Sequence, residues 1–395
     1  MRTEDPTLGP QTSGALMLVG TMPPGRYALG LSWEDGQEPA IRATPDLADL
    51  ARREGRSWQV RIDNPPILTP PKDAPPRFGW QRVVEYSDFA NWEQISRRFA
   101  PMYAKAATLA DDSPVKAEAA RIAAAHRDDL SRAQAALKLV QQQVRYIYVG
   151  LDGGNLAPAS ADETWRRRYG DCKGKTSLLL ALLNELGIEG QVVVVNNAGA
   201  DDGLDQRLPN PGLFDHVLVR ARIGGATYWL DGTLPPVALA STAPLLPYRW
   251  VLPLTPGGAG LEAIPFRPLA LPDEMGLYEI DARAGFDRPG RITSTSVKRG
   301  IKGLVEYMQF SALTRDQLLT TFRGALEGSA QWDTVEAVDY RYDSQTQASI
   351  LTISGAGPID WDDRGKGEYQ LVLPGGGFSP PPRRQRAAGV PSPGR

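Results

Sequence analysis

Between residues 14 and 87, short apolar runs alternate with turn signals: ALMLVGTM, RYALGLSW, a WEDG turn and SWQVRID. Runs of this length with period-two alternation predict short β-strands. One helical piece is expected over 45–54, and a further strand over 80–86 beyond the Pro-rich 65–76. From 91 to 143 the apolar spacing changes to three and four residues, in NWEQISRRFAPMY and SPVKAEAARIAAAHRDDLSRAQAALKLVQQQV. That spacing predicts helices. The second run is read as continuous, with Ser113 at its N-cap and Pro114 at the first helical position.

Past RYIYVG, a Gly/Asn/Pro loop (152–161) and the polar ADETWRRRYGD, a strongly apolar helix is predicted over 172–186, CKGKTSLLLALLNEL, closed by Gly187. GQVVVVNN then reads as a buried strand, and FDHVLVRARI, Gly224-Gly225 and ATYWLDGT as a β-hairpin. The chain is Pro/Leu-rich and extended from 235 to about 272. Strands follow at LYEIDA and GRITSTSV, a helix near 315–327, and an alternating pair at VEAVDYRYD and ASILTISG. The tail from Gly375, GGGFSPPPRRQRAAGVPSPGR, has almost nothing to bury and is expected to be disordered. The expected organisation is a β-rich domain over 1–90, a mixed core over 91–250, a β-rich domain over 251–374 and a tail over 375–395. The first domain opens so abruptly that it reads as truncated.

Composition narrows the chemistry. The 395 residues carry 44 Lys and Arg against 46 Asp and Glu, a net charge of −2 without the cationic excess of a nucleic-acid binder. One Cys rules out an intramolecular disulfide, and one Cys with two His is too few for a Cys/His zinc cage. No metal and no cofactor are expected. No run approaches the roughly 18 apolar residues of a membrane helix, and MRTEDPTLGP lacks the basic-then-apolar start of a signal peptide. The chain as written reads as soluble and cytoplasmic.

The single cysteine, Cys172, opens the apolar helix directly after Tyr169-Gly170-Asp171. A helix N-terminus carries unsatisfied N–H groups and the positive end of the macrodipole, which favour a thiolate. Lys173, Lys175 and the arginines at 166–168 add positive potential, against which Asp171 works. The same N–H groups suit the oxyanion formed when a thiolate attacks an amide carbonyl. A lone cysteine on a Leu-rich helix is ordinarily an inert small hydrophobe. The hairpin shifts that balance. With Gly224-Gly225 as a two-residue turn, Ile223 faces Ala226, and Asp231 lies one diagonal step from His216 on the same face. Diagonal neighbours sit about 7–8 Å apart, within side-chain reach. Val217, Val219, Ala221, Tyr228 and Leu230 fall on the opposite face as core. Nucleophile, base and orienting acid are the logic of Cys-His-Asp catalysis. Asp-Gly-Thr is also ordinary turn chemistry, so Asp231 alone would not carry the assignment.

RRRYGDCKGKTSLLLALLNELGI, FDHVLV and YWLDGT resemble the three blocks of the bacterial transglutaminase-like superfamily, over about 143–233. The resemblance implies an α+β fold: a papain-like transglutaminase core, with N-terminal helices plus an antiparallel sheet, between two β-rich domains of unknown function. It also implies a Cys172, His216, Asp231 triad acting on protein or peptide carboxamides through a thioester. Such proteins are often exported to the periplasm. A cysteine peptidase or amidase on the same scaffold is the alternative, and a non-catalytic protein-binding module the third reading. Trp165, Tyr169 and Trp229 are candidates for a substrate cleft and Tyr148 for the oxyanion site. His126, among alanines, reads as a surface or half-buried helix residue. Gly170-Asp171-Cys172-Lys173-Gly174-Lys175-Thr176 imitates a phosphate loop, but three residues separate its glycines where four are required.

Overall fold

The computed structural model describes residues 7–18, 25–69, 74–148, 157–265, 267 and 270–372. They divide into two units, one built from Met1–Pro236 and Ala240–Phe266, the other from Arg267–Pro382 with Val237–Leu239.

The first unit opens with β1 (Ser13–Met17), β2 (Arg26–Ser32), β3 (Ala40–Ala43), α1 (Pro45–Ala48), β4 (Ala51–Glu54), β5 (Ser57–Asp63) and β6 (Val83–Ser87). Two antiparallel sheets, β1-β6-β3 and β2-β5-β4, close over Leu47, Val60 and Val84. The helix expected over 45–54 ends at Ala48, and Ala51 to Glu54 pair with Val60 to Ser57. A single exposed helical turn is marginal in water, whereas a strand partner satisfies the same backbone groups.

α2 (Trp92–Ala106), α3 (Pro114–Ala125) and α4 (Asp129–Gln143) follow. Ser113 caps α3 as expected, its hydroxyl accepting from the Val115 N–H, with Pro114 in the first turn. The run read as one helix is two. His126 is extended at φ −126° and ψ 135°, and the Asp128 carboxylate accepts from the Ser131 N–H to start α4. A capping carboxylate offers the backbone an alternative to continuing the helix, and here it wins. His126 therefore sits half-buried at the break.

β7 (Arg145–Tyr146) and β8 (Tyr169–Gly170) form a short parallel ladder flanking α5 (Ala161–Arg167), with Tyr146 opposite Gly170. α6 (Cys172–Glu185) begins two residues later, and every residue from Cys172 to Leu183 is buried. A helix covered on all sides must lie at the centre of its unit. Around it fold β9 (Glu189–Val195), β10 (His216–Ile223), β11 (Ala226–Leu230), β12 (Trp250–Pro253) and β13 (Glu262–Ala263), an antiparallel sheet in the order β11-β10-β9-β12-β13. Gly224 and Gly225 take φ of 57° and 81°, the left-handed pair a two-residue hairpin turn requires. Ile223 consequently faces Ala226 and Val219 faces Leu230, the register read from sequence. Val217, Val219, Ala221 and Leu230 join Leu178, Leu179 and Leu182 in the main core. The Pro/Leu-rich stretch expected only as extended supplies β12, where Leu252 pairs with Val194.

The second unit holds β14 (Glu274–Asp281), β15 (Gly290–Arg299), α7 (Gly300–Phe310), α8 (Arg315–Leu326), β16 (Thr334–Asp343), β17 (Ala348–Gly357), β18 (Trp361–Gly365) and β19 (Glu368–Leu371). Its sheet runs β14-β15-β17-β16 over a core of Ile292, Leu318, Trp332, Val335, Val338, Leu351 and Ile353. α7 was not expected, because GIKGLVEYMQF begins with Gly and repeats it within a turn. Gly303 is there for space: a Cβ would stand 2.5 Å from the Lys298 carbonyl oxygen and 2.8 Å from that of Gln347. The tail expected to be disordered from Gly375 lies outside the described residues. Among the described residues, no helix is long and apolar enough to cross a membrane.

Candidate active site

Three chain segments converge at the N-terminal end of α6. Asp171 caps that helix, its Oδ1 accepting from the Gly174 N–H at 3.0 Å, so Cys172 is the first helical residue. His216 is the first residue of β10, and the Thr176 hydroxyl ties α6 to the next residue, donating to the Val217 carbonyl at 3.1 Å. Asp231 follows the last residue of β11. Cys172, His216 and Asp231 are 3, 2 and 9% exposed, so all three are buried.

His216 Nε2 lies 2.8 Å from Asp231 Oδ2, and Cys172 acts electrostatically on the same ring. With Nε2 on the carboxylate, Nδ1 is the nitrogen left for the thiol. Asp231 Oδ1 accepts from the Thr233 N–H at 2.9 Å and the Thr233 hydroxyl at 2.6 Å. Both readings of Asp-Gly-Thr hold: one oxygen makes the turn and the other holds the imidazole. Burial opposes ionisation of both partners, yet their mutual attraction prevails. The carboxyl is held below its usual range, and the imidazole is pushed up to about 10, chiefly by Asp231 and further by Cys172. The pair is an imidazolium–carboxylate.

Several expected neighbours stand elsewhere. Tyr148 is 73% exposed and turned to solvent. Tyr146, two residues earlier, is the tyrosine beside the site. Burial raises its hydroxyl, and the charges of Cys172, Asp231 and Asp171 raise it further. Strand alternation places these two tyrosines on the same side, and only the ladder of Tyr146 with Gly170 decides which one reaches α6. Trp165 is 4% exposed in the main core, with the Arg168 guanidinium 3.6 Å from its ring centroid. It borders a cavity of about 620 Å³ with Ser113, Asp162 and Arg166, not the Cys172 group. Tyr169 is 40% exposed on β8, and Trp229 packs with Leu218 and Val251 on the sheet face turned away from the main core. The expected positive potential is largely spoken for: Lys173 is ion-paired with Asp171, and Arg167 with Glu163.

Sequence reasoning missed Tyr103 on α2, a buried phenol raised by burial and then by the charges of Cys172 and Asp171. It also missed Gln141, whose Nε2 donates to the Asp231 carbonyl at 3.1 Å. Neither carries a local signal, since both reach the site from helices distant in sequence. Among the described residues, no group of three or more His, Cys, Asp or Glu is arranged to hold a metal ion.

Residues 116–251, which include all three buried residues, match the model of the transglutaminase-like superfamily. A protein from Parabacteroides distasonis, described provisionally as a protease, is similar in structure with 11% identity and a TM-score of 0.48, over 89% of this chain and 70% of that one. The periplasmic domain of TgpA from Pseudomonas aeruginosa matches at 16% identity and a TM-score of 0.24, over 57% of this chain and 77% of that one. Red sea bream transglutaminase matches at 9% identity and a TM-score of 0.26, over 89% and 73% respectively. No curated protein matches the chain.

Proposed function

We propose, from the premise that residues 116–251 are a transglutaminase-like region, that the protein is a cysteine-dependent acyltransferase acting on protein or peptide carboxamides. The observation that supports the reading is the buried His216–Asp231 hydrogen bond, with the buried Cys172 acting electrostatically on the same imidazole from the start of a helix. The Cys172 thiolate adds to the carboxamide carbon, and its electron pair forms the C–S bond while the carbonyl becomes an oxyanion. The Cys172 N–H at the start of α6 and the Tyr146 hydroxyl would receive that charge. The His216 imidazolium gives its proton to the departing nitrogen, ammonia leaves, and a thioester remains. An acceptor amine, losing its proton to neutral His216, then takes the acyl group and returns the thiol. Water in place of the amine gives deamidation; attack on a backbone amide instead, with the peptide amine taking the His216 proton and leaving, followed by water, gives peptide hydrolysis, so the amide attacked separates transferase from peptidase.

The test sets incorporation of a fluorescent primary amine into a glutamine-containing protein against release of new amino termini, for wild type and Cys172→Ala. Amine incorporation by wild type alone supports the proposal. New amino termini alone would reassign the site to a peptidase. If iodoacetamide alkylates Cys172 no faster than a free thiol near neutral pH, the enzymatic reading fails.

A further inference from the structure

We infer that Lys175 is a positioning residue of this site: one buried side chain that locks together the segments carrying Tyr146, Cys172 and Asp231 and holds a positive charge against Gly232, the residue after Asp231. The inference rests on the reading of Cys172, His216 and Asp231 given above.

Lys175 lies one helical turn beyond Cys172 and is 2% exposed. Its ammonium donates to the Val144 carbonyl, two residues before Tyr146, and so ties α6 to the start of β7. Its aliphatic stem runs along Gly232, where a Cβ would stand 3.7 Å from Lys175 Cβ and 3.9 Å from its Cε. It also borders β8, where a Cβ on Gly170 would meet Lys175 Cγ at 3.6 Å. Three stretches of chain far apart in sequence therefore touch one side chain. Burying an ammonium is costly, and a Leu or Met would fill this space without that penalty. Burial draws Lys175 down to about 8, while the Asp231 charge acts in the opposite direction. The charged group acting on it is Asp231, after β11, and the Asp171 carbonyl accepts from its backbone N–H. From α4 and α5 come the uncharged Val140, Gln141, Val144 and Thr164.

The charge matters most after ammonia has left. His216 is then neutral, and a buried Asp231 carboxylate has lost its imidazolium. What remains are the two Thr233 donors and the Lys175 charge. A fixed positive charge also favours every step that removes a proton from the Cys172–His216 pair, so deleting it moves those steps to higher pH.

Three variants separate the tie from the charge: Lys175→Met removes both, Lys175→Gln keeps a donor, and Lys175→Arg keeps the charge. The readouts are the iodoacetamide alkylation rate of Cys172 against pH, and kcat and KM for amine incorporation. In the Met and Gln variants the alkylation midpoint is expected to rise by about one pH unit, the size of one charge removed at close range. Their kcat is expected to fall roughly 10- to 100-fold, with KM within about threefold of wild type. Lys175→Arg keeps the wild-type midpoint. Should the Met variant not fold, Gln shifted and Arg unshifted still support the inference. Gln and Arg sharing the wild-type midpoint, in a protein whose Cys172 outpaces a free thiol, overturn it alone. A wild-type Cys172 no faster than a free thiol overturns the parent reading with it.

Discussion

Replacing Asp231 by Asn tests the site at the point where its geometry is most demanding. Asp231 Oδ1 holds two Thr233 donors at 2.9 and 2.6 Å, while Oδ2 faces His216 Nε2 at 2.8 Å. In Asp231→Asn the amide oxygen stays with the Thr233 donors, because an NH2 group there would meet two donors. The NH2 group then points at His216. Nε2 must accept, the ring proton moves to Nδ1, and the nitrogen facing the sulfur can no longer act as a base. Raising the imidazole from 6.5 to about 10 corresponds to on the order of 5 kcal/mol of preference for imidazolium, most of it due to the charge that Asn removes. The expected result is a kcat roughly 10³- to 10⁴-fold lower, the scale on which a mis-set tautomer acts in serine-protease triads. The direct assay is ¹⁵N NMR of the imidazoles, which is tractable because the chain has two histidines. His216 should titrate near 10 in wild type and well below that in the variant, where burial is no longer offset by the Asp231 charge. The sign for stability follows. A raised imidazole contributes stability that is fully present below 6.5 and lost as pH rises through about 10. Asp231→Asn should therefore cost most in denaturant melts below pH 6.5, and little above 10. Wild-type kcat in a variant whose His216 still titrates near 10 would refute the coupling.

Two further expectations follow from particular contacts. Tyr146→Phe should lower kcat about 100-fold with little change in KM, as loss of one oxyanion donor does at the mild end, and Tyr148→Phe should leave kcat within about a factor of two. Equal effects in the two variants would remove Tyr146 from the site. Gly303→Ala should destabilise the second unit, since about 1 kcal/mol of gained helix propensity cannot offset a Cβ held 2.5 Å from a backbone carbonyl oxygen. A denaturation midpoint at or above that of wild type would contradict that packing.

What could be read along the chain is what short-range physics controls. A Gly-Gly turn leaves one hairpin register, and that register brings His216 and Asp231 together. Asp171 before an apolar run marks a helix start, which placed Cys172 where it stands. Ser113 and Pro114 began α3 for the same local reason. Where two local signals competed, the periodicity misled: the Asp128 cap broke a run that looked continuous, and strand pairing claimed Ala51 to Glu54. The Tyr146 assignment, Gln141 on the Asp231 carbonyl and Lys175 on the Val144 carbonyl depend on how helices and strands distant in sequence settle against α6. Such contacts are decided by packing volume and by the need to satisfy each buried polar group, and neither leaves a spacing in the chain. The sequence by itself determined the three candidate groups and their order; tertiary structure alone decided which side chains stand behind them.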